Sequence, residues 1–470
     1  MQKLSQLRRA DASSGLVLVV VCAAVVLASL DLFIVNVALP EMAADLGNPD
    51  LADLSWVLNG YAIVYAAFLL LFGRMAERRR RDLGFLLGVL IFTAASAACA
   101  AAESLPALVA FRVLQALGAA LLTPTSLSLI LVTTEPAKRA TAVRIWTAVG
   151  GAAAALGPVL GGVLVAASWR WVFLVNVPIG LIALVVGWRR LPRVPGHAVP
   201  HPDAFGAVLG TGAIGALTLG LVKGEDWGWG SGATLAVLAV AVVGLALFIL
   251  HTARAENPLV DPSLFRAAPF RGAGLTMFLF SMAFGAMLLA AVLWAQTAWG
   301  WSALQTGLAI APGPLMVPIF GVLLAGRLIA RYGAGIVAGV GTAIFGLGHV
   351  WFALEIGNEA HYATDMLPGM LLTGIGVGLT LPTLMATAAG SLPPHAFATG
   401  SAVINTLRQV GLAIGVALLI ALLGAAPDLA AFHRSWWVLA ALSFAASIAA
   451  FTLLARPRAT TAPVAATVET

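Results

Sequence analysis

Fourteen apolar runs of about twenty residues each, separated by short polar loops, leave this chain one kind of fold. The runs cover residues 15–38, 53–73, 83–102, 106–132, 142–166, 171–189, 204–222, 231–251, 272–296, 304–327, 334–354, 366–389, 398–424 and 434–455. A helix of that length satisfies its own backbone hydrogen bonds across a hydrocarbon core, which an open strand cannot do. A barrel would need short segments of alternating polarity, and the chain contains none. Composition leads to the same class: 61% of residues are hydrophobic and 10% charged, against about a quarter charged in soluble domains. The expected fold is an all-α polytopic membrane protein with fourteen transmembrane helices.

The loops sort by charge. With the N-terminus in the cytoplasm, twenty-one of the 26 Lys and Arg residues fall in inner loops and tails. Arg170, Lys223 and Arg434 fall outside, and Arg112 and Arg408 lie within runs. Basic residues are retained on the cytoplasmic side, and one missed helix would scramble this sorting. Both termini are therefore expected in the cytoplasm and the chain in the cell (inner) membrane. The first run is too long for a signal peptide and reads as an uncleaved helix. No loop could hold a soluble domain. The longest, 252–271, is punctuated by proline and expected along the inner surface, and the Ala/Thr/Pro-rich tail is expected to be disordered. Cys22 and Cys99 both lie in apolar runs and indicate no disulfide framework. No G-x-x-x-x-G-K-[ST] loop exists for ATP, and the histidines lack metal-ligand spacing. No cofactor, metal, nucleic acid or enzymatic chemistry is expected; the partners are the bilayer and a small-molecule substrate.

One acid lies deep inside the runs. Asp31, in SLDLFIVNVALP (Ser29–Pro40), would cost roughly 2.5–3.5 kcal/mol to insert and should face a protein interior or a wet cavity. Arg112, in the fourth run, lies at a matched depth, roughly 10 Å below the outer surface at 1.5 Å per residue. Opposite charges at one depth are natural partners. They read either as a site where proton or substrate arrival changes the charge of Asp31, or as a static pair joining two helices. Asn36, Gln115, Asn405, Arg408 and Gln409 are candidates to line a polar cavity, although each alone also reads as an interhelical hydrogen bond. Arg408 has no acidic neighbour in sequence. Trp227, Trp229, Trp299, Trp301, Trp436 and Trp437 fall at outer helix ends, where an aromatic belt is expected.

GRMAERRRR (Gly73–Arg81) after the second run is echoed by GRLIARYG (Gly326–Gly333) after the tenth. The echo divides the chain into a cytoplasmic N-terminus (1–14), a first six-helix bundle (15–190), two inserted helices with linkers (191–271), a second six-helix bundle (272–455) and a tail (456–470).

Four motifs resemble the major facilitator superfamily, and within it the fourteen-helix drug:proton antiporter branch. LDLFIVNVALP (Leu30–Pro40) is similar to that branch's first-helix signature, and Gly73–Arg81 to the superfamily's loop motif. RVLQALGAA (Arg112–Ala120) is similar to the fourth-helix motif, and GPVLGG (Gly157–Gly162) to the fifth-helix antiporter motif. Their order and spacing carry the match. Departures are Glu77 for Asp, Arg80 for Gly, Ala116 for Gly and Ala153 for Gly. The resemblance implies two bundles with alternating access, which the buried Asp31 and Arg112 are expected to couple to the proton or the substrate. It implies a gating loop of Gly73, Glu77, Arg78 and Arg81, and a hinge at Gly157, Pro158, Gly161 and Gly162. The expected protein is a monomeric, proton-coupled secondary exporter of small amphipathic or cationic compounds, driven by the proton gradient. A proton-coupled importer, for instance of peptides, is the alternative, but that family's acidic–basic cluster in the first helix is absent here. A membrane scaffold without transport is the third class, and it would have no need of a buried carboxylate.

Overall fold

The computed structural model describes residues 2–78, 80–195, 203–392, 397–424 and 427–454; the side chain of Glu77 and the tail 456–470 lie outside the described residues. Among the described residues there is no strand. The long helices are α1 (Gln2–Asp45), α2 (Trp56–Arg78), α3 (Arg81–Ala100), α4 (Leu105–Thr133), α5 (Pro136–Val165), α6 (Asn176–Arg190), α7 (Ala204–Trp227) and α8 (Gly232–Arg254). They continue as α9 (Ala268–Leu293), a broken α10, α11 (Ala334–Glu355), α12 (Leu367–Gly390), α13 (Phe397–Leu423) and α14 (Leu429–Leu453). Thirteen segments of the described residues are long and apolar enough to cross a membrane. α5 is a 30-residue helix in the remaining place, consistent with fourteen crossings.

Local chemistry sets several boundaries. Ser231 caps α8 by accepting from the Thr234 N–H, and Asp428 caps α14 through the Ala431 N–H. α10 opens at Ala303 with a capping box between Ser302 and Gln305. Proline interrupts it: Ala303–Ile310 and Pro312–Pro318 are followed by a wider turn over Ile319–Leu324, then by Ala325–Tyr332. Gly333, with φ 88°, makes the turn into α11. The basic loop after α2 is almost entirely helical, because α2 runs to Arg78 and α3 starts at Arg81.

α1–α6 form one bundle, in which α1 packs on α4, α5 and α6, and α4 also packs on α2 and α3. α9–α14 form another, in which α9 packs on α12, α13 and α14, and α11 on α12 and α14. Two main seams join them, α2 with α13 and α5 with α10. The inserted α7 bridges the bundles by packing on both α2 and α13, while α8 packs on α7 and is otherwise largely exposed. Each end of α7 is tied. Lys223 Nζ lies 2.7 Å from Asp53, 3.0 Å from Asp226 and 3.5 Å from Asp50, fastening α7 to the α1–α2 connection. At its start, Asp203 accepts from the N–H groups of Gly206 (2.8 Å) and Leu259 (3.0 Å) and meets His251 of α8 at 2.9 Å. Burial works against the Asp203 charge, yet these donors outweigh it and hold the carboxyl below its ordinary range.

The aromatic belt is only partly as expected. Trp227, Trp229 and Trp437 are exposed, but Trp436 is fully buried against Phe352, with ring centroids 4.8 Å apart. It turns towards α11 because that helix presents an aromatic face where lipid was expected.

Candidate functional site

Asp31 is fully buried where five helices meet. Its Oδ2 accepts from Arg112 Nη1 at 2.5 Å, and its Oδ1 accepts from Gln115 Nε2 at 2.8 Å and Asn176 Nδ2 at 3.3 Å. Arg112 and Gln115 share a face of α4 because they are three residues apart. The guanidinium is held from other sides too: Nη1 also donates to Gln115 Oε1 (2.6 Å), and Nε to the Val57 carbonyl (3.1 Å). The Tyr61 ring lies under it at 4.2 Å, a cation–π contact that replaces part of the lost hydration. Gln115 Nε2 reaches Ser96 Oγ of α3 at 2.8 Å, extending the network to a fifth helix alongside α1, α2, α4 and α6.

The pairing expected from matched depth is present, with both side chains at 1% exposure or less. Such a pair offsets the desolvation of its members only when the remaining donors and acceptors are used, as they are here. Ser96, Asn176, Tyr61 and the Val57 carbonyl did not figure among the expected site residues. Their signal in the sequence is slight: Ser96 and Asn176 are polar residues near the same end of their helices as Arg112.

Arg112 also lines a void of about 40 Å³ between the bundles, with Asn36, Asn59, Phe33, Phe284, Leu412 and others. That volume admits a water or two and no substrate. Asn36 faces the void while donating to Leu32 O (3.3 Å), one turn back in α1. Gln115, expected to line the cavity, is turned into the Asp31 network instead. Arg408 and Gln409 sit on α13, with Arg408 Nε and Gln409 Oε1 buried and without hydrogen-bond partners. Asn405 is engaged in the structure. A larger open cleft of about 630 Å³ is lined only by residues of the second bundle and its loops, among them Trp294, Asp428 and His433.

The glycines of α5 make the two packings that frame this site. A Cβ on Gly157 would stand 2.9 Å from Phe33 Cβ, and one on Gly161 3.0 Å from Ile34 O, so both let α5 close onto α1 two to three residues past Asp31. A Cβ on Gly162 would stand 2.6 Å from Ala303 O, and Gly307 of α10 faces the Pro158 carbonyl just as closely. α5 passes through Pro158 as one continuous helix, so these residues form a close-approach surface. Near them, Gln296 Nε2 donates to Val37 O across the bundles at 3.1 Å. All of this lies at the end opposite the basic loops. Towards the basic end, the described part of α10 packs on α11 and α12.

In the Gly73–Arg81 segment, Gly73 lies against Pro124 of α4, and Arg81 is buried with its N–H donated to Val194 O at 3.1 Å. Arg80 pairs with Asp82, which also accepts from the Val194 N–H at 3.1 Å. The segment thus ties α3 to the exit of α6 and sets α2 against α4 within the first bundle. Arg78 is exposed but engaged.

The chain matches the family model described as Major Facilitator Superfamily over residues 21–416 and 273–469. It is 34% identical to the methylenomycin A resistance protein of Bacillus subtilis (strain 168) over 425 residues, covering 89% of this chain and 90% of that protein. It is 35% identical to the tetracenomycin C resistance and export protein of Streptomyces glaucescens, covering 87% of this chain and 74% of that protein. Among solved structures, an auto-inhibited POT family peptide transporter superposes with a TM-score of 0.66 at 19% identity, covering 93% of this chain and 96% of the other. At that identity the likeness concerns the fold alone.

Proposed function

The chain belongs to the major facilitator superfamily, a family of membrane transporters, and from that premise we propose that it is a proton-coupled secondary exporter of small amphipathic compounds. The direction is supported by relatives named for resistance and export. The coupling is supported by one observation, the buried Asp31 carboxylate with its three N–H donors. A proton on Oδ1 displaces Gln115 or Asn176, since that oxygen already accepts from both. A proton on Oδ2 cancels the charge that holds Arg112. Either way Arg112, which borders the void, is loosened, and a charge change at Asp31 becomes a change at the seam between the bundles.

Alternating access then needs the seams to open in turn. The close contact of α5 with α10 supports a state sealed at the end opposite the basic loops. Facing the basic end towards the cytoplasm makes that state closed to the outside. One proton crossing 100 mV contributes about 2.3 kcal/mol, enough for roughly a fifty-fold concentration ratio.

Inside-out vesicles carrying the full chain test this. With an acidic lumen they should accumulate an amphipathic probe, and a protonophore should abolish the accumulation. Accumulation that ignores the gradient, or gradient-driven loss of probe, would overturn coupled export. Reporter fusions after Arg190 and after Arg458 should both report cytoplasm; an external signal from either would break the fourteen-span arrangement.

A further inference from the structure

Among the described residues, one cation deep in the spans has no counter-charge. Asp31, the sole acid deep inside the apolar runs, is already committed to Arg112. Arg408 of α13 has no carboxylate within reach among the described residues, and its Nε is buried without a hydrogen-bond partner. Its position is specific. Leu412 and Val416, one and two turns further along the same face of α13, line the void that Arg112 also borders. Arg408 therefore extends that interfacial face one turn towards the basic end. Across the seam Thr406 Oγ1 lies 3.3 Å from Ala66 O of α2, so the helices are in contact at this level. Tyr65, the residue before Ala66, lies within electrostatic reach of Arg408 and stacks on Tyr61 with ring centroids 5.9 Å apart. Tyr61 in turn underlies Arg112. Both rings are buried in the first bundle, with Tyr65 Oη 3.1 Å from Thr123 Oγ1, so they form a packed column behind the seam between the paired cation and the unpaired one.

Resting on the exporter reading, we infer that Arg408 binds an acidic group of the transported compound, so that the preferred cargo is an acidic amphiphile, with its apolar body along Leu412 and Val416. A guanidinium in a water-poor site gains most from a carboxylate, which accepts two parallel N–H bonds and supplies the missing charge. A neutral compound leaves those donors unused, and a cation meets like charge with nothing to offset it.

The test uses three probes on one scaffold: 2-naphthylacetate, 2-naphthylacetamide and 2-(2-naphthyl)ethylamine. Their binding to the purified full chain is measured by equilibrium dialysis, and their gradient-driven uptake in inside-out vesicles is corrected with protein-free vesicles. Wild type should bind the acid at least tenfold more tightly than the amine. Arg408→Gln should lose that preference while binding the amide within about twofold of wild type, and Arg408→Lys should keep most of it. If Arg408→Gln does not fold, the wild-type ranking and the Arg408→Lys comparison decide. Equal or reversed ranking in the wild type, or an acid preference that survives Arg408→Gln, overturns the inference. So does equal weakening of all three probes by Arg408→Gln. Because binding is read separately, an Arg408-dependent acid preference without gradient-driven uptake would sink the exporter reading and leave the site standing.

Discussion

The two bundles share a backbone plan and differ in what fills it. Setting Gly73 level with Gly326 brings the starts of α3 and α11 into the same register, Arg81 with Ala334. In that register Asp31 corresponds to Phe284 and Ser96 to His349. In the first bundle the position holds a carboxylate with three N–H donors. In the second it holds an aromatic cluster: Phe284 packs on Phe280 and Phe345, at 5.9 and 6.2 Å, and Phe345 lies 4.6 Å from the ring of His349. His349 is fully buried; its Nδ1 meets Ser443 Oγ at 3.3 Å, and its Nε2 has no partner. Polar residues with matched partners make a site that can change charge, whereas aromatic packing makes a surface that keeps its shape. Phe33 and Phe284 touch across the seam at 5.8 Å, where the two halves meet.

Breaking the charged side should have the largest effect. Arg112→Ala leaves a buried carboxylate without its counter-charge, a loss of about 3–5 kcal/mol when one partner of such a pair is removed. Gradient-driven transport should vanish and the thermal midpoint should fall. Phe284→Leu at the corresponding position should keep proton-coupled transport. If it uncouples transport as fully as Arg112→Ala, the division of labour between the bundles is wrong.

The seam comes next. Gly162→Leu places a side chain against the backbone of Ala303 and Leu304, and it should lower transport about tenfold or more while leaving the Asp31 network intact. Thiol labelling of a single cysteine at Asn36 from the end opposite the basic loops should rise in that variant. Unchanged transport and labelling would mean that the α5–α10 contact seals nothing.

Smaller effects should mark the tie on α7. Asp203→Asn gives up the charge that its backbone donors hold, costing about 1–3 kcal/mol at neutral pH. Because the folded carboxyl is held low, its contribution is present above the unfolded value near 4 and is lost as pH falls through the folded value. The gap in thermal midpoint between wild type and variant should therefore close below about pH 4; a gap that persists there would exclude the charge as its cause. Smallest of all should be His349→Leu. With one ring nitrogen unpartnered and the other in a long contact, stability should stay within about 1 kcal/mol and the pH profile of transport should not move. A shifted profile would make the second bundle a proton-handling half as well.

The helical class and the partnership of Asp31 with Arg112 were legible in the sequence, because length and depth along a helix are both counted in residues. Rotation about the helix axis is not. That is why Gln115 could be placed at the right level yet assigned to a cavity, when it turns into the network, and why Trp436 was assigned to a lipid-facing belt. Ser96 and Asn176 escaped notice for a related reason. A single Ser or Asn in an apolar run becomes a partner only when another helix delivers a carboxylate to it. The close approach of α5 to α1 and α10 was signalled by GPVLGG, but which glycine faces which helix depends on packing across bundles far apart in sequence.

The claim that Asp31 is the coupling carboxylate is tested most directly by counting protons. Purified wild-type protein in weak buffer with a pH-sensitive dye should release about one proton for each molecule of a bound, transported probe. Asp31→Asn should still bind the probe, because an amide is cheaper to bury than a carboxylate, but should release none. Proton release of wild-type size from Asp31→Asn would contradict it.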